Sequence, residues 1–131
     1  YYYKNITLMI NVVAAIIKKN NYYLIVKRNK NKHLGLKWEF PGGKVEKNET
    51  FEDALRREIK EELDIKINII EKFSEEKYKD AKIDVLLHYY FCALKSGKIK
   101  LNEHEDLAWI KKESFNKYEF AEGDKNIVSL L

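Results

Sequence analysis

Residues 43–65 read GKVEKNETFEDALRREIKEELDI, and they carry the most informative pattern in the chain. From Phe51 onwards, apolar residues recur at the spacing that is typical of one buried face of an α-helix. Thr50 comes directly before this pattern and Asp53 three residues later, as in a helix N-cap. The sequence therefore predicts a helix from Thr50 to about Leu63, with an apolar stripe formed by Phe51, Ala54, Leu55, Ile59 and Leu63.

Three glutamates share one side of this helix. Glu58, Glu61 and Glu62 are related by spacings of three and four residues, so they project within an arc of about 100°. Like charges at these spacings repel each other, and this arc adjoins the apolar stripe, so the cluster needs compensation. Mg²⁺ is a natural partner because it binds carboxylate oxygens while keeping water and phosphate ligands. The alternative is a solvated helix face with Arg57 and Lys60 as partners.

The residues before the helix favour the metal site over the solvated face. The Gly42-Gly43 pair allows backbone groups to come close to a ligand. Glu49 stands just before the helix, and Arg57 is able to hold Glu49 or Glu61 through a bidentate pair. A glycine loop, an arginine and a further carboxylate therefore accompany the three glutamates of the helix.

The spacing of these residues resembles the signature box of the Nudix hydrolases. Gly43 is followed after five residues by Glu49, and after seven more by the run Arg57-Glu58-Ile59-Lys60-Glu61-Glu62. One position departs from the family pattern, because Asp64 replaces the usual Gly before the apolar Ile65. We expect Asp64 to end the helix in a left-handed conformation, which Gly favours and Asp tolerates. The departure removes no chemical group from the site.

This resemblance implies a Mg²⁺-dependent hydrolase, with Mn²⁺ as an alternative ion. Water activated by the metal would attack a phosphorus atom, while the metal neutralises the departing phosphate. Arg57 and Glu49 would orient the carboxylates, and Glu58 is also a candidate to activate water. The implied metal ligands are the Gly42 carbonyl and the side chains of Glu58, Glu61, Glu62 and Glu103.

Glu103 belongs to a segment outside the box. In many Nudix enzymes a further acidic residue acts as base or ligand, and Asn102-Glu103-His104-Glu105 resembles the region that supplies it. We assign this role to Glu103, with Glu105 as the alternative. His104 is interpreted as a loop histidine and not as a ligand.

The segment Trp38-Glu39-Phe40-Pro41-Gly42-Gly43-Lys44 is similar to the MutT-like branch of the family. This branch hydrolyses nucleoside triphosphates, including oxidised ones such as 8-oxo-dGTP, to a monophosphate and pyrophosphate. Asp124 resembles the residue that reads the purine edge there, which discriminates by leaving wrong bases unpaired. The implied substrate-binding residues are Arg28, Phe40, Gly43, Lys44 and Asp124. Three of them have an alternative role that involves no substrate: Arg28 as a surface residue, Phe40 as a core residue and Asp124 as a helix N-cap.

Several other functions are consistent with the box. A pyrophosphatase of CTP or other pyrimidine nucleotides shares the segment around Trp38, and an ADP-ribose-type hydrolase shares the box. A non-catalytic Nudix module is a further alternative, although such domains generally lose box carboxylates. Protection of the nucleotide pool from 8-oxoguanine, a form of DNA repair, rests on resemblance to the branch alone.

The rest of the chain predicts a mixed α/β domain. The resemblance implies the Nudix fold, in which a mixed β-sheet is sandwiched between helices, as a single domain over residues 1–131. A final short helix is expected from Lys125 to Leu131, with Asp124 near its start. The predicted strands are Leu8–Ile17, Tyr22–Val26, Trp38–Phe40, Ile65–Ile70, Ile83–Leu94 and Leu107–Ile110.

Composition limits the function classes. The 131 residues include 45% hydrophobic and 13% aromatic residues, which excludes a disordered chain. The net charge of +4 comes mostly from dispersed lysines, so it favours anionic small molecules over nucleic acid polymers. The single Cys92 forms no internal disulfide, and the apolar Ile6–Ile17 is too short to span a bilayer. We expect a cytoplasmic monomer or weak dimer that binds a nucleotide and no membrane.

Overall fold

The computed structural model describes residues 9–131. Leu8 of the predicted first strand lies outside these residues, as do Ile6 and Thr7 of the first apolar segment. Within residues 9–131, no helix combines the length and the apolar character that crossing a membrane would require. The elements are β1 (Ile10–Lys19), β2 (Tyr22–Lys27), β3 (Trp38–Glu39), β4 (Gly42–Lys44), α1 (Phe51–Leu63), β5 (Lys66–Lys79), β6 (Asp84–Ser96), β7 (Asp106–Ile110), a 3₁₀ helix (Lys112–Lys117) and α2 (Glu122–Leu130).

Strand β1 is the centre of the sheet. It pairs in parallel with β6 from Ile10↔Val85 to Ile17↔Cys92, and β6 pairs antiparallel with β5. On its other edge β1 pairs antiparallel with β4 near its middle and with β2 at its end. Strand β2 then pairs antiparallel with both β3 and β7. The sheet is therefore mixed, as predicted.

Successive side chains of β1 point into two separate cores, because side chains alternate between the faces of a strand. Val13, Ala15 and Ile17 are buried in one core with the apolar stripe of α1. Ala14 and Ile16 are buried in the other, together with Ile127 of α2 and Phe115 of the 3₁₀ helix. Helices thus cover both faces of the sheet, which confirms the predicted α/β architecture.

The ends of α1 confirm the predictions made for them. The Thr50 side chain accepts a hydrogen bond from the Asp53 amide at 3.1 Å, as an N-cap should. At the other end Asp64 adopts a left-handed conformation, with φ 57° and ψ 33°, and its amide donates to the Lys60 carbonyl. This cap turns the chain sharply from α1 into β5.

Two predicted boundaries were wrong by three residues or more. Strand β5 extends to Lys79, far beyond Ile70, because the charged residues after Ile70 still pair with β6 through two register shifts. Helix α2 begins at Glu122 and not at Lys125. Ala121 occupies the N-cap position without a side-chain bond, so the alternative that Asp124 is a helix N-cap is wrong.

Candidate active site

One cleft of about 590 Å³ gathers residues that are distant in the sequence. Its walls come from β1, β3, β4, α1, the loop after β2, the β5–β6 hairpin, the loop before β7 and the start of α2. Arg57, Glu49 and Glu105 are not among its lining residues. The predicted site residues that line it are Arg28, Phe40, Gly42, Gly43, Lys44, Glu58, Glu61, Glu62, Glu103 and Asp124.

Arg57 organises the acidic end of the cleft. Its guanidinium holds Glu49 in a bidentate pair, with Nε–Oε2 at 2.7 Å and Nη2–Oε1 at 2.9 Å. Nη1 donates to Glu58 at 2.8 Å and to Glu61 at 3.3 Å, and Nη2 donates to the Lys44 carbonyl at 3.0 Å. The hydrogen bond from Arg57 lowers the pKa of Glu49 to about 2. One side chain therefore fixes the loop, the helix and two candidate ligands together.

The Gly42-Gly43 pair lies where side chains have no space. A Cβ atom at Gly42 would collide with the carbonyl of Val13 on the paired strand β1. A Cβ atom at Gly43 would overlap the carboxylate of Glu58. The second glycine thus lets the Glu58 carboxylate pack directly against the backbone of β4.

Glu62 is buried close to the carboxylates of Glu39, Glu58 and Glu103. This side chain is 6% exposed, and its Oε1 is a buried atom with no hydrogen-bond partner among the described residues. Burial, followed by the charges of Glu39, Glu58 and Glu103, raises its pKa to about 9. Burial also raises the pKa of Glu58, against the opposing effect of Arg57. A bound cation would stabilise a buried, unpaired carboxyl oxygen that lies near other carboxylates.

The donor chemistry of this end fits a hard divalent cation. Carboxylate and carbonyl oxygens are the ligands that Mg²⁺ prefers, and the cleft leaves room for water and phosphate. Within the part of the chain that the structure describes, no three Asp, Glu, His or Cys side chains are close enough to form a ready-made metal centre. The carboxylates line one wall, where Glu58 and Glu62 are held and Glu61 and Glu103 are partly exposed.

Glu103 lies on a loop that is anchored on both sides. Before it, Asn102 donates from its side chain to the Glu61 carbonyl at 2.8 Å and from its amide to the Glu62 carbonyl at 3.0 Å. After it, His104 contacts Glu39 through Nε2 at 3.0 Å. His104 thus lines the cleft while its Nε2 is occupied by Glu39. Sequence reasoning placed His104 in a loop and did not assign it to the cleft.

Glu39 connects the two ends of the cleft, and the sequence interpretation missed it. One carboxylate oxygen accepts from Arg28 Nη1 at 2.8 Å, and the other contacts His104. Arg28 is further held by the His33 carbonyl, which accepts from Nε at 2.8 Å. The alternation within β3 was the available signal, because it places Glu39 on the opposite side of the strand from Trp38.

Asp124 is buried at the far end of the cleft, with 5% of its surface exposed. Its carboxylate accepts from the Phe40 amide at 3.1 Å and from the Tyr89 hydroxyl. Burial is the main cause that raises its pKa to about 7, with Glu39 adding to the effect. Phe40 is 3% exposed and packs against Tyr89 and Phe120, so its ring belongs to the core as well as to the cleft wall.

Two loops meet across the mouth of the cleft. His33, in the loop after β2, contacts Asp80 of the β5–β6 hairpin at 2.6 Å. Asp80 also accepts from the Tyr78 hydroxyl at 2.7 Å and from the amides of Lys82 and Ile83, so it is rigidly held. These hydrogen bonds, led by that from Tyr78, lower the pKa of Asp80. No sequence pattern links residues this far apart in the chain.

Known proteins are similar to this chain over most of its length. The sequence matches the model of the NUDIX domain over residues 7–131. It is 34% identical to the CTP pyrophosphohydrolase of Escherichia coli, covering 88% of this chain and 86% of that protein. It is 35% identical to the 8-oxo-dGTP diphosphatase of Buchnera aphidicola, covering 89% and 88%.

A solved structure supports the same relationship. The solution structure of the MutT protein from methicillin-resistant Staphylococcus aureus has a TM-score of 0.77 and 38% sequence identity. The match covers 95% of this chain and 96% of that one. The mixed sheet, the glycine pair and the arginine-held glutamates thus occur together in a chain that belongs to the Nudix hydrolase family.

Proposed function

We propose that this enzyme is a Mg²⁺-dependent pyrophosphohydrolase that converts nucleoside triphosphates to nucleoside monophosphates and pyrophosphate. One observation carries the proposal: a single cleft is lined by the acidic end at Glu58 and Glu62 and by the buried carboxyl group of Asp124. The acidic end suits a metal-bound polyphosphate, and the buried carboxyl group suits a base. Relatives named as nucleotide hydrolases support the same chemistry.

The acidic end would hold the metal through oxygen ligands. Glu58, Glu61, Glu62, Glu103 and the Gly42 carbonyl are the proposed set. Bound Mg²⁺ would lower the pKa of a water molecule and neutralise charge on the departing phosphate. Arg57 and Glu49 act through the ligands, because the guanidinium holds Glu58 and Glu61 in place.

Each carboxylate has a different part in this proposal. Glu58 is the candidate to accept the proton from water, because its raised pKa brings it closer to the working range of a general base. Glu62, buried and unpaired at Oε1, would supply a carboxylate oxygen that ionises when the cation binds, because its raised pKa keeps the group protonated without one. Gly43 and Lys44 line the cleft beside the proposed ligands, where we propose that they contact the phosphates.

The other end of the cleft would bind the nucleoside. We propose that Asp124 reads the base edge, that Phe40 contacts the ring and that Arg28 contacts the substrate near Glu39. Both Asp124 oxygens already accept hydrogen bonds from the protein, so the carboxyl group is held in one orientation. A rigid reader of this kind discriminates by leaving the wrong base unpaired.

The base preference has two candidates. The Buchnera relative is named for 8-oxo-dGTP, which supports a role in removing oxidised nucleotides from the pool. The E. coli relative is named for CTP, which supports a pyrimidine substrate. An ADP-ribose-type diphosphate stays the third substrate to test. A binding-only module is disfavoured because every acidic residue of the box is retained.

A substrate panel tests the proposal directly. The protein would be incubated with Mg²⁺ and separately with 8-oxo-dGTP, each common (d)NTP and ADP-ribose, and the products resolved as monophosphate, pyrophosphate and phosphate. We expect one preferred triphosphate to yield monophosphate and pyrophosphate. Much faster turnover of CTP than of 8-oxo-dGTP would end the proposed role in removing oxidised nucleotides. No turnover of any compound with Mg²⁺ or Mn²⁺ would contradict the activity itself.

Two glutamine variants test the metal ligands. Glu61→Gln and Glu62→Gln keep side-chain size but remove ligand charge, so we expect each to lower kcat by about 100-fold with the fold intact. Glu113→Gln, at an exposed position of the 3₁₀ helix, is the matched control and should behave like the wild type. Near wild-type rates for both site variants at saturating Mg²⁺ would remove the ligand assignment.

We further propose that residues 1–131 form one Nudix domain that works in the cytoplasm as a monomer or weak dimer. The NUDIX model covers residues 7–131, and the described strands belong to one connected sheet. Gel filtration with light scattering would determine the oligomeric state.

Cys92 is buried, and burial raises the pKa of its thiol to about 12, which makes it an unreactive core residue.

A further inference from the structure

We infer that Asn102 and His104 are positioning residues that hold Glu103 against the metal-binding face of α1. This inference rests on the proposed function, because it takes Glu103 to be a metal ligand. It concerns two residues on either side of Glu103 that have no assigned role. Their contacts lead to the two other parts of the acidic end, namely the last turn of α1 and Glu39.

Asn102 joins the loop directly to the residues that carry two other ligands. Its side-chain amide donates to the Glu61 carbonyl, and its backbone amide donates to the Glu62 carbonyl. The carbonyls in the last turn of a helix have no partners within the helix, so they are open to capture by a neighbouring loop. Two hydrogen bonds from Asn102 therefore fix the distance between the Glu103 backbone and the last turn of α1, which carries Glu61 and Glu62.

His104 fixes the other side of Glu103. The imidazole is 6% exposed as a side chain, and its Nε2 donates to a carboxylate oxygen of Glu39, which can only accept. Its Nδ1 is buried with no partner among the described residues. The ring thus makes a single polar contact, with Glu39 of β3. That contact ties the loop to β3 on the side of Glu103 opposite to Asn102.

These anchors matter because Glu103 itself is loosely held. Its side chain is 44% exposed, and its ion pair with Lys32 has an N–O distance of 3.9 Å. An exposed pair of this kind contributes little to order. A flexible carboxylate loses conformational entropy when it binds the ion, and this weakens binding. If the backbone of Glu103 is already held in place, less entropy is lost.

The test measures Mn²⁺ binding to the whole protein by electron paramagnetic resonance, without nucleotide or turnover. We expect Asn102→Ala and His104→Leu each to raise the Kd for Mn²⁺ about tenfold. His104→Gln keeps a donor for Glu39 and should recover part of the affinity. Asn116→Ala, at an exposed position outside the cleft, is the control and should bind as the wild type does.

A double variant separates positioning from general damage. If Asn102 acts through Glu103, Asn102→Ala combined with Glu103→Gln should bind Mn²⁺ no more weakly than Glu103→Gln alone. Additive losses would overturn the inference, since they would show that Asn102 acts on the fold. Circular dichroism and Tm identify any variant that fails to fold, and Asn102→Ala with His104→Gln then carry the test.

The outcomes also separate this inference from the proposed function. Wild-type affinity in Asn102→Ala, together with weakened binding in Glu103→Gln, would overturn positioning and leave the ligand assignment standing. Wild-type affinity in Glu103→Gln would overturn both the role of Glu103 and this inference. In that case the affinity of Glu62→Gln for Mn²⁺ would decide whether the other proposed ligands bind the metal.

Discussion

Asp124 shows how strongly one residue depends on its surroundings. In the sequence it stands in an ordinary polar segment, yet the fold buries its carboxyl group between the Phe40 amide and the Tyr89 hydroxyl. Its pKa is raised to about 7, so the folded state holds the proton more tightly than the unfolded chain does. Sequence reasoning identified the residue, but burial and the two donors come from distant strands.

The raised pKa of Asp124 predicts a pH-dependent stability. The neutral carboxyl group stabilises the fold fully below the unfolded value of 3.8, and this contribution is lost as the pH rises to about 7. We therefore expect the free energy of unfolding of the metal-free wild type to fall between pH 4 and pH 8 by on the order of 3 kcal/mol more than that of Asp124→Asn. Urea unfolding at several pH values in EDTA measures both slopes. If the free energies of unfolding of the wild type and of Asp124→Asn changed equally with pH, the raised pKa of Asp124 would be contradicted.

The two adjacent glycines should respond differently to the same substitution. In Gly42→Ala the added carbon meets backbone atoms of Val13 and Ala14, which cannot rotate away. We expect the free energy of unfolding to fall by roughly 3 kcal/mol. In Gly43→Ala the added carbon meets only the Glu58 side chain, so the fold should persist while kcat falls about 100-fold.

Urea unfolding and steady-state kinetics on both variants distinguish these outcomes. A stable, fully active Gly43→Ala would show that Glu58 relocates freely and that its contact with the backbone of β4 is dispensable.

Among the elements, α1 was predictable over its whole length, whereas only the first part of β5 was. The helix carries its own signals, because the Thr50 cap, the apolar stripe and the turn at Asp64 are all local. Strand β5 is defined by pairing with β6, and its register shifts interrupt the alternation that would have revealed it. The start of α2 was missed for a similar reason, since no side chain caps it.

The C-cap of α1 provides a test at this level. Asp64 has a positive φ, which Gly adopts freely and Ala resists. Both Asp64→Gly and Asp64→Ala lose the ion pair with Lys60, so comparing them isolates the backbone effect. We expect the Tm of Asp64→Gly to exceed that of Asp64→Ala by a few degrees. Equal melting temperatures would mean that the helix ends in another way in solution.

In the molecule as a whole, the cleft depends on contacts between distant segments. The glycine pair and the box glutamates are close in sequence, so the acidic end was predicted from a motif. The connections from Arg28 through Glu39 to His104, and from His33 to Asp80, join segments that only the folded sheet brings together. No periodicity or spacing within one element encodes such pairs, so sequence reasoning could not find them.

The contact between His33 and Asp80 predicts an effect on substrate binding. It joins the two sides of the cleft mouth, so its loss should let the nucleotide escape more easily. We expect His33→Ala to raise the KM for the preferred nucleotide several-fold with little change in kcat. The bond from Arg28 to the backbone carbonyl at residue 33 persists in this variant.

Asp80→Asn and the double variant complete a cycle, measured by steady-state kinetics. If the two side chains act through their contact, the effects on KM should be clearly non-additive. Strictly additive effects would show that each residue acts alone.

The parallel pairing of β1 with β6 also has a kinetic consequence. Ile10 lies opposite Val85, so the central strand finds its main partner only after most of the chain has been synthesised. The β5–β6 hairpin closes locally and fast, whereas β1 closes a very long loop and should dock late. A nascent chain on the ribosome would therefore expose the apolar strand β1 for most of its elongation. Chaperone binding during synthesis should concentrate on that strand.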